Sequence, residues 1–204
     1  KGNYIKQFLE LAYPDRKFSF VWIDNYQGKG SGLGFTLVSC KKYLMRPFIF
    51  MSCDTLVTKK IPPPDHDWVF YSNVKNISEY RSLEVKKGTI TNIFEKGRSD
   101  KKLKAYTGLA GIYSYDQFWS EMLNGGKKVI EQGESYALRK MLDNQIKAIH
   151  SPWFDSGNQD SLQILRKKFR SKDSPNILPK ENEAIWFVEN NAIKFSIDKN
   201  FIKE

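Results

Sequence analysis

Two runs near the start of the chain, KFSFVWID (Lys17 to Asp24) and RPFIFMSCD (Arg46 to Asp54), are rich in aromatic and β-branched residues and have the length of buried strands. Between them GFTLVSCKKYLM sets Leu37, Cys40 and Leu44 at helical spacing, so the three pieces read as a β-α-β unit. The loop entering the helix, YQGKGSGLG, holds Gly28, Gly30, Gly32 and Gly34, which lets main-chain amides approach a ligand at a helix N-terminus. WVFYSNV adds strand content, and YRSLEVKKGTITNIFEKG alternates in two arms that meet at KKG, the pattern of a hairpin.

Further on, YTGLAGIYSY predicts a strand of small residues, followed by a helix QFWSEML capped by Asp116. Glu134 to Gln145 carries Leu138, Met141, Leu142 and Gln145 on one side and predicts a helix. In SPWFDSGNQDSL the strand end Trp153–Phe154 is followed by Asp155, a flexible Gly157 and a helix start at Asn158 to Ser161; that helix buries Leu162, Leu165 and Phe169. RSKDSPNILPKE is polar and broken by Pro175 and Pro179, and AIWFVENNAIKFSI beyond it is two apolar arms joined at ENN. Strands alternating with helices, plus inserted hairpin strands, predict an α/β class: a three-layer α/β/α arrangement on a mostly parallel sheet. The expected organisation is a first domain over 1–170, a linker over 171–180 and the start of a second module over 181–204.

Composition agrees with a folded core. Of 204 residues, 40% are hydrophobic and 14% aromatic, which excludes a disordered chain. The net charge of +10 would suit a polyanion, but the lysines come in scattered pairs such as Lys41–Lys42, Lys86–Lys87 and Lys127–Lys128. They read as a solvated surface, and nucleic acid is not expected as a partner. Cys40 and Cys53 show no ligand spacing to His66 and His150, which argues against a zinc site or a disulfide framework and for a reducing cytoplasm. No apolar run reaches the roughly 18 residues of a membrane span, so membrane insertion is not expected. The chain begins at Lys1 as though cut from something longer.

Two aspartates follow strands, Asp54 and Asp155. In an open α/β sheet the ligand crevice lies at the carboxyl ends of the strands, so both can face it. A carboxylate there is more often a loop or helix cap; two together suit Mg²⁺, which takes hard oxygen ligands along with phosphate and water.

The order of four segments resembles the sugar-phosphate nucleotidyltransferases, the pyrophosphorylases that make nucleotide sugars. FIFMSCDTLV matches the strand ending in a "GD" or "CD" aspartate, and IFEKGR the "EKP" segment. AGIYSYDQFW matches "GIY.F", and WFDSGNQDSL the closing "W.D.GT..SL". The resemblance runs from about Lys1 to Arg170. It implies that Asp54 and Asp155 hold Mg²⁺, that Glu95 meets acceptor hydroxyls and Lys96 its phosphate, and that Gly108 and Gly111 line the acceptor pocket. Gly32 and Leu33 resemble the segment that presents main chain to the nucleotide base, with Asp54 also on the nucleotide side. Catalytic roles fall to Lys96, Asp54 and Asp155.

The family's opening strand and "GxGxRLxP" loop, with its following lysine, have no counterpart in the sequence. On the resemblance, the first β-α unit and roughly the first quarter of the catalytic domain lie upstream of Lys1, and the fragment alone is expected to be inactive. Asn158 stands where the family has threonine, and Gly97 where it has proline. The wording is similar to the capsule and surface-polysaccharide branch. LPKENEAIWFVENNAIKFSID is similar to the opening of choline-kinase-like or aminoglycoside-phosphotransferase-like domains, with Lys194 where their small lobe carries a nucleotide-binding lysine. The expected partners are a nucleoside triphosphate and a phosphorylated small-molecule acceptor. The rival expectation is a non-catalytic binding or oligomerising domain that retains the fold.

Overall fold

A computed structural model describes residues 2–169, 177–180, 183–188 and 191–196. The chain divides into two compact units, one of residues 23–162 and one of residues 1–22 with 163–204.

The larger unit is built on a six-stranded mixed sheet. Its strands are β1 (Phe48–Met51), β3 (Trp68–Ser72), β4 (Ser82–Lys86), β5 (Thr89–Phe94), β6 (Lys104–Ile112) and β7 (Lys147–His150), in the order β1-β6-β3-β7-β5-β4. β4 also pairs with β6 through Ser82 opposite Ala105, so the β4–β5 hairpin folds back and closes on the sheet. A short ribbon of β2 (Thr55–Val57) and β8 (Trp153–Asp155) stands beside it. The α/β class with an inserted hairpin is thus present. The sheet is not mostly parallel: among its described pairings only β3 with β7 is parallel. The reversed strand β6 separates β1 from β3, and the hairpin supplies antiparallel neighbours that need no long crossover. Because β1 and β3 both run against β6 while β7 runs with β3, the carboxyl ends of β1, β3 and β7 share one edge.

The main core lies between the sheet and α2 (Leu33–Ser39), α3 (Tyr115–Asn124), α4 (Lys127–Gln132) and α5 (Glu134–Lys140). Phe48, Val69, Leu83, Ile93 and Ile112 meet Leu37, Phe118, Trp119, Met122 and Leu138 there. Phe48 stacks on Trp119 at 5.7 Å, and Trp119 donates its indole N–H to Leu44 O at 2.9 Å. Trp68, Phe70 and Leu109 form a second cluster covered by Val57, Ile61 and Ile149.

The hairpin appears as read, its arms joined through Lys87 (φ 50°) and Gly88 (φ 80°), a left-handed pair that matches strand twist. Asp116 lies inside α3, whose N-cap is Ser114. The run Lys17 to Asp24 forms no strand, so the β-α-β unit expected there is absent. A strand needs a neighbouring edge to take its backbone hydrogen bonds, and apolar alternation alone does not supply one. Within the smaller unit, Phe18 and Phe20 instead stack on each other at 5.9 Å. That unit contains α1 (Gly2–Ala12) and an antiparallel sheet of β9 (Ile177–Lys180), β10 (Glu183–Val188) and β11 (Asn191–Ser196). β9 lies inside the stretch expected as linker, and Lys194 is on β11. Phe8 of α1 meets Trp186 of β10 edge-on at 5.3 Å. α6 (Gln159–Phe169) follows β8; its Leu165 is buried, whereas Phe169, expected inside, is exposed.

Candidate active site

Asp54 and Asp155 come together because β2 pairs with β8. Asp54 sits in the turn Ser52–Thr55 that leads from β1 to β2, closed by Thr55 N–H on Ser52 O at 3.2 Å. Thr55 lies directly opposite Asp155. Ser156 extends the ribbon, donating its N–H to Asp54 O at 2.9 Å and its hydroxyl to the same oxygen at 3.1 Å. Thr55 Oγ1 pins the ribbon to β6 by donating to Thr107 O at 2.5 Å.

The two carboxylates converge on Gly157. A Cβ placed there would lie 3.0 Å from Asp155 Oδ1 and 3.2 Å from Asp54 Oδ2. A side chain at 157 would crowd both carboxylate oxygens, so glycine lets the two approach its backbone closely. Asp155 Oδ1 accepts the Gly157 N–H at 2.8 Å, and Asp155 Oδ2 accepts the Tyr80 hydroxyl at 3.3 Å. Burial, then the charge and hydrogen bond of Asp155, push the Tyr80 phenol above its ordinary range and keep it a donor. Among the described residues no third His, Cys, Asp or Glu joins the pair. Two neighbouring carboxylates fit Mg²⁺, which takes hard oxygen ligands.

Glu95 and Lys96 lie just past β5. Glu95 is gripped by Arg81, Nε to Oε2 at 3.0 Å, and by Arg139 Nη2 on Oε1. Burial raises its pKa, but the hydrogen bonds and charges of Arg81 and then Arg139 outweigh that and hold the carboxyl below the usual range. Lys96 is exposed in the following turn. Gly97 there has φ 100° and donates its N–H to Ser78 O at 2.8 Å. Proline, fixed near −65° and lacking that N–H, could not adopt this turn, so Gly97 makes a differently shaped loop from an "EKP" segment.

Gly108 (φ 74°) is a left-handed residue within β6 whose carbonyl accepts the Ser52 N–H at 2.9 Å; a Cβ would lie 2.5 Å from Ser52 Oγ. It thus packs under the turn that carries Asp54. Gly111 faces the Trp68 indole, where a Cβ would overlap the ring, so its packing role is plain. Gly32 and Leu33 open α2 on the helical layer: a Cβ at Gly32 would lie 2.5 Å from Ile130 O, and Leu33 packs over Gly133. The glycines read as a ligand loop are in part what lets α2 lie against α4.

Sequence reading missed Tyr80, Arg81, Arg139 and Glu134. Glu134 is buried at 2% exposure, with Arg81 Nη1 3.9 Å from its Oε1. Burial raises its pKa more than Arg81 lowers it. The Tyr106 hydroxyl is beside it without completing a hydrogen bond, and burial drives that phenol well above its ordinary range. One signal was available, since Glu134 is four residues before Leu138 and so falls on the apolar face of α5.

No protein-family model matches the chain, and no curated protein matches it in sequence. Solved structures do match in shape. A Bacillus anthracis protein described as a glucose-1-phosphate thymidylyltransferase, in complex with sucrose, superposes with a TM-score of 0.65 at 18% identity, over 83% of this chain and 72% of that one. The CTP:phosphocholine cytidylyltransferase of Streptococcus pneumoniae gives 0.65 at 9% identity, over 81% and 75%. The fold is that of the nucleotidyltransferases. HddC from Yersinia pseudotuberculosis has it too, at a TM-score of 0.53 and 18% identity over 83% and 75%. Fold is what likeness at this identity conveys, and chemistry has to be argued from the residues.

Proposed function

We propose that the chain is the larger part of a nucleotidyltransferase domain that joins a nucleoside monophosphate to a phosphorylated small molecule. One observation carries this reading: Asp54 and Asp155, distant in sequence, converge on Gly157. An acceptor phosphate oxygen attacks the α-phosphorus of a nucleoside triphosphate. The bond to the bridging oxygen breaks, and pyrophosphate leaves with the electron pair. Asp54 and Asp155 would hold Mg²⁺, which when bound supplies positive charge against the phosphates. Lys96 positions the acceptor phosphate and Glu95, kept ionised by its two arginines, accepts from acceptor hydroxyls. Since the nucleophile is already an anion, the protein's work is alignment and electrostatics.

The two structures similar at a TM-score of 0.65 bear names that span a sugar phosphate and phosphocholine, and either class would satisfy Lys96 and Glu95. We place the reaction in the cytoplasm, in the making of surface polysaccharide or capsule, with residues 181–204 opening a kinase-like module that includes Lys194. A second reading, a non-catalytic module retaining the fold, is favoured by the engagement of Gly32 in packing against α4 instead of an open ligand loop.

The test is pyrophosphate release by the full-length gene product with each nucleoside triphosphate, Mg²⁺ and a panel of sugar phosphates and phosphocholine. Release with one base and one acceptor is expected. A folded protein that is silent across the panel and binds no nucleotide with Mg²⁺ would favour the second reading.

A further inference from the structure

Tyr80 and Arg81 are consecutive yet serve different halves of the site. Tyr80 closes the turn Ile77–Glu79, its N–H on Ile77 O at 3.1 Å. Its ring meets Trp153 edge-on at 5.0 Å while its hydroxyl donates to Asp155 Oδ2 at 3.3 Å. With Oδ1 held by the Gly157 N–H at 2.8 Å, both oxygens of Asp155 are tethered and the plane of the carboxylate is fixed. Arg81 turns the other way, to Glu95 at 3.0 Å and towards the buried Glu134 at 3.9 Å, and its carbonyl accepts the Tyr106 N–H at 2.9 Å. Ser78 O takes the Gly97 N–H of the turn that presents Lys96. Ser78, Tyr80 and Arg81 are thus bonded to the Lys96 turn, to β8 and to β6, respectively.

We propose that Tyr80 is a positioning residue for Asp155, braced by Arg81, so that the Ser78–Arg81 turn sets the spacing between the cation-binding and acceptor-binding halves of the site. This rests on the nucleotidyltransferase reading and deepens it. A carboxylate that binds a cation loses affinity when it must first be ordered, and a neutral hydroxyl orders it without cancelling its charge. Packing against Trp153 would need only the ring, so the hydroxyl is what the proposal turns on.

The probe is Mn²⁺, titrated into the 204-residue protein and followed by the electron paramagnetic resonance of the free ion, which needs no turnover. Tyr80→Phe keeps the ring and removes the donor; it is expected to weaken Mn²⁺ binding about 10-fold, the lower end for an outer partner of a metal ligand. Asp155→Asn is expected to abolish binding. Arg81→Lys keeps a positive charge by Glu134 but loses the fork, and is expected to weaken Mn²⁺ binding less, with no further loss when combined with Tyr80→Phe. Circular dichroism checks that each variant is folded. If Tyr80→Phe binds Mn²⁺ like wild type while Asp155→Asn does not, the positioning role is wrong and the metal reading stands. Additive losses in the double variant would overturn the brace. A wild type that binds no Mn²⁺, or an Asp155→Asn variant that binds as wild type, removes the metal reading itself.

Discussion

Asp155 and Gly111 are both residues the sequence offers for the site, and their surroundings separate them. Asp155 lies beside Asp54 at Gly157, and its exchange for asparagine removes charge with little change in shape. On the proposed reading, Asp155→Asn should abolish pyrophosphate release while leaving the melting temperature near wild type. Gly111 stands against Trp68, which is fully buried. Gly111→Ala should therefore destabilise by about 1–3 kcal/mol, the cost of overpacking, measurable by urea unfolding. The two aspartates could be singled out because each follows an apolar run and falls in a segment that matches the resembled family. Tyr80, Arg81 and Arg139 were not, because each makes its telling contact with a residue remote in the chain: Tyr80 with Asp155, the arginines with Glu95. Gly97 was visible as a departure from the resembled motif, but the positive φ behind it was not.

The elements divide by how local their hydrogen bonds are. The β4–β5 hairpin could be read because its two arms and its turn are contiguous. Lys87 nevertheless occupies a left-handed position at φ 50°, which costs a residue with a Cβ roughly 1–2 kcal/mol. Lys87→Asn should recover part of that and raise the midpoint of urea unfolding. Asn158 caps α6, its Oδ1 accepting the Ser161 N–H at 2.9 Å, so Asn158→Ala should cost about 1 kcal/mol by the same measurement. The cap also gives a physical use for an asparagine at the position where the resembled family has threonine. By contrast Lys17 to Asp24 looked like a strand and is none, and the three-residue strands β2 and β8 had too little pattern to predict their pairing. That pairing is what brings the candidate site together.

At the scale of the whole molecule, two glutamates in one network pull stability in opposite directions with pH. Glu95 has a lowered pKa, so its contribution is present above the ordinary carboxyl value of 4.5 and fades as pH falls through its folded pKa. Glu134 has a raised pKa, so its contribution is complete below 4.5 and fades as pH rises through its folded value. Glu134→Gln should therefore gain stability relative to wild type as pH climbs from 4.5 towards neutrality, read from urea unfolding at a series of pH values. A difference that stays constant with pH would show that Glu134 does not titrate differently in the folded state. The sequence by itself determined the α/β class, the hairpins and the two strand-end aspartates, because these follow from hydrophobic period and turn chemistry within a few residues of chain. Only the tertiary structure decided the mixed strand order, the convergence of Asp54 and Asp155 on Gly157, and the Arg81–Glu95–Arg139 grip beside a buried Glu134. Those depend on which distant segments share a boundary, and local propensity carries no information about that.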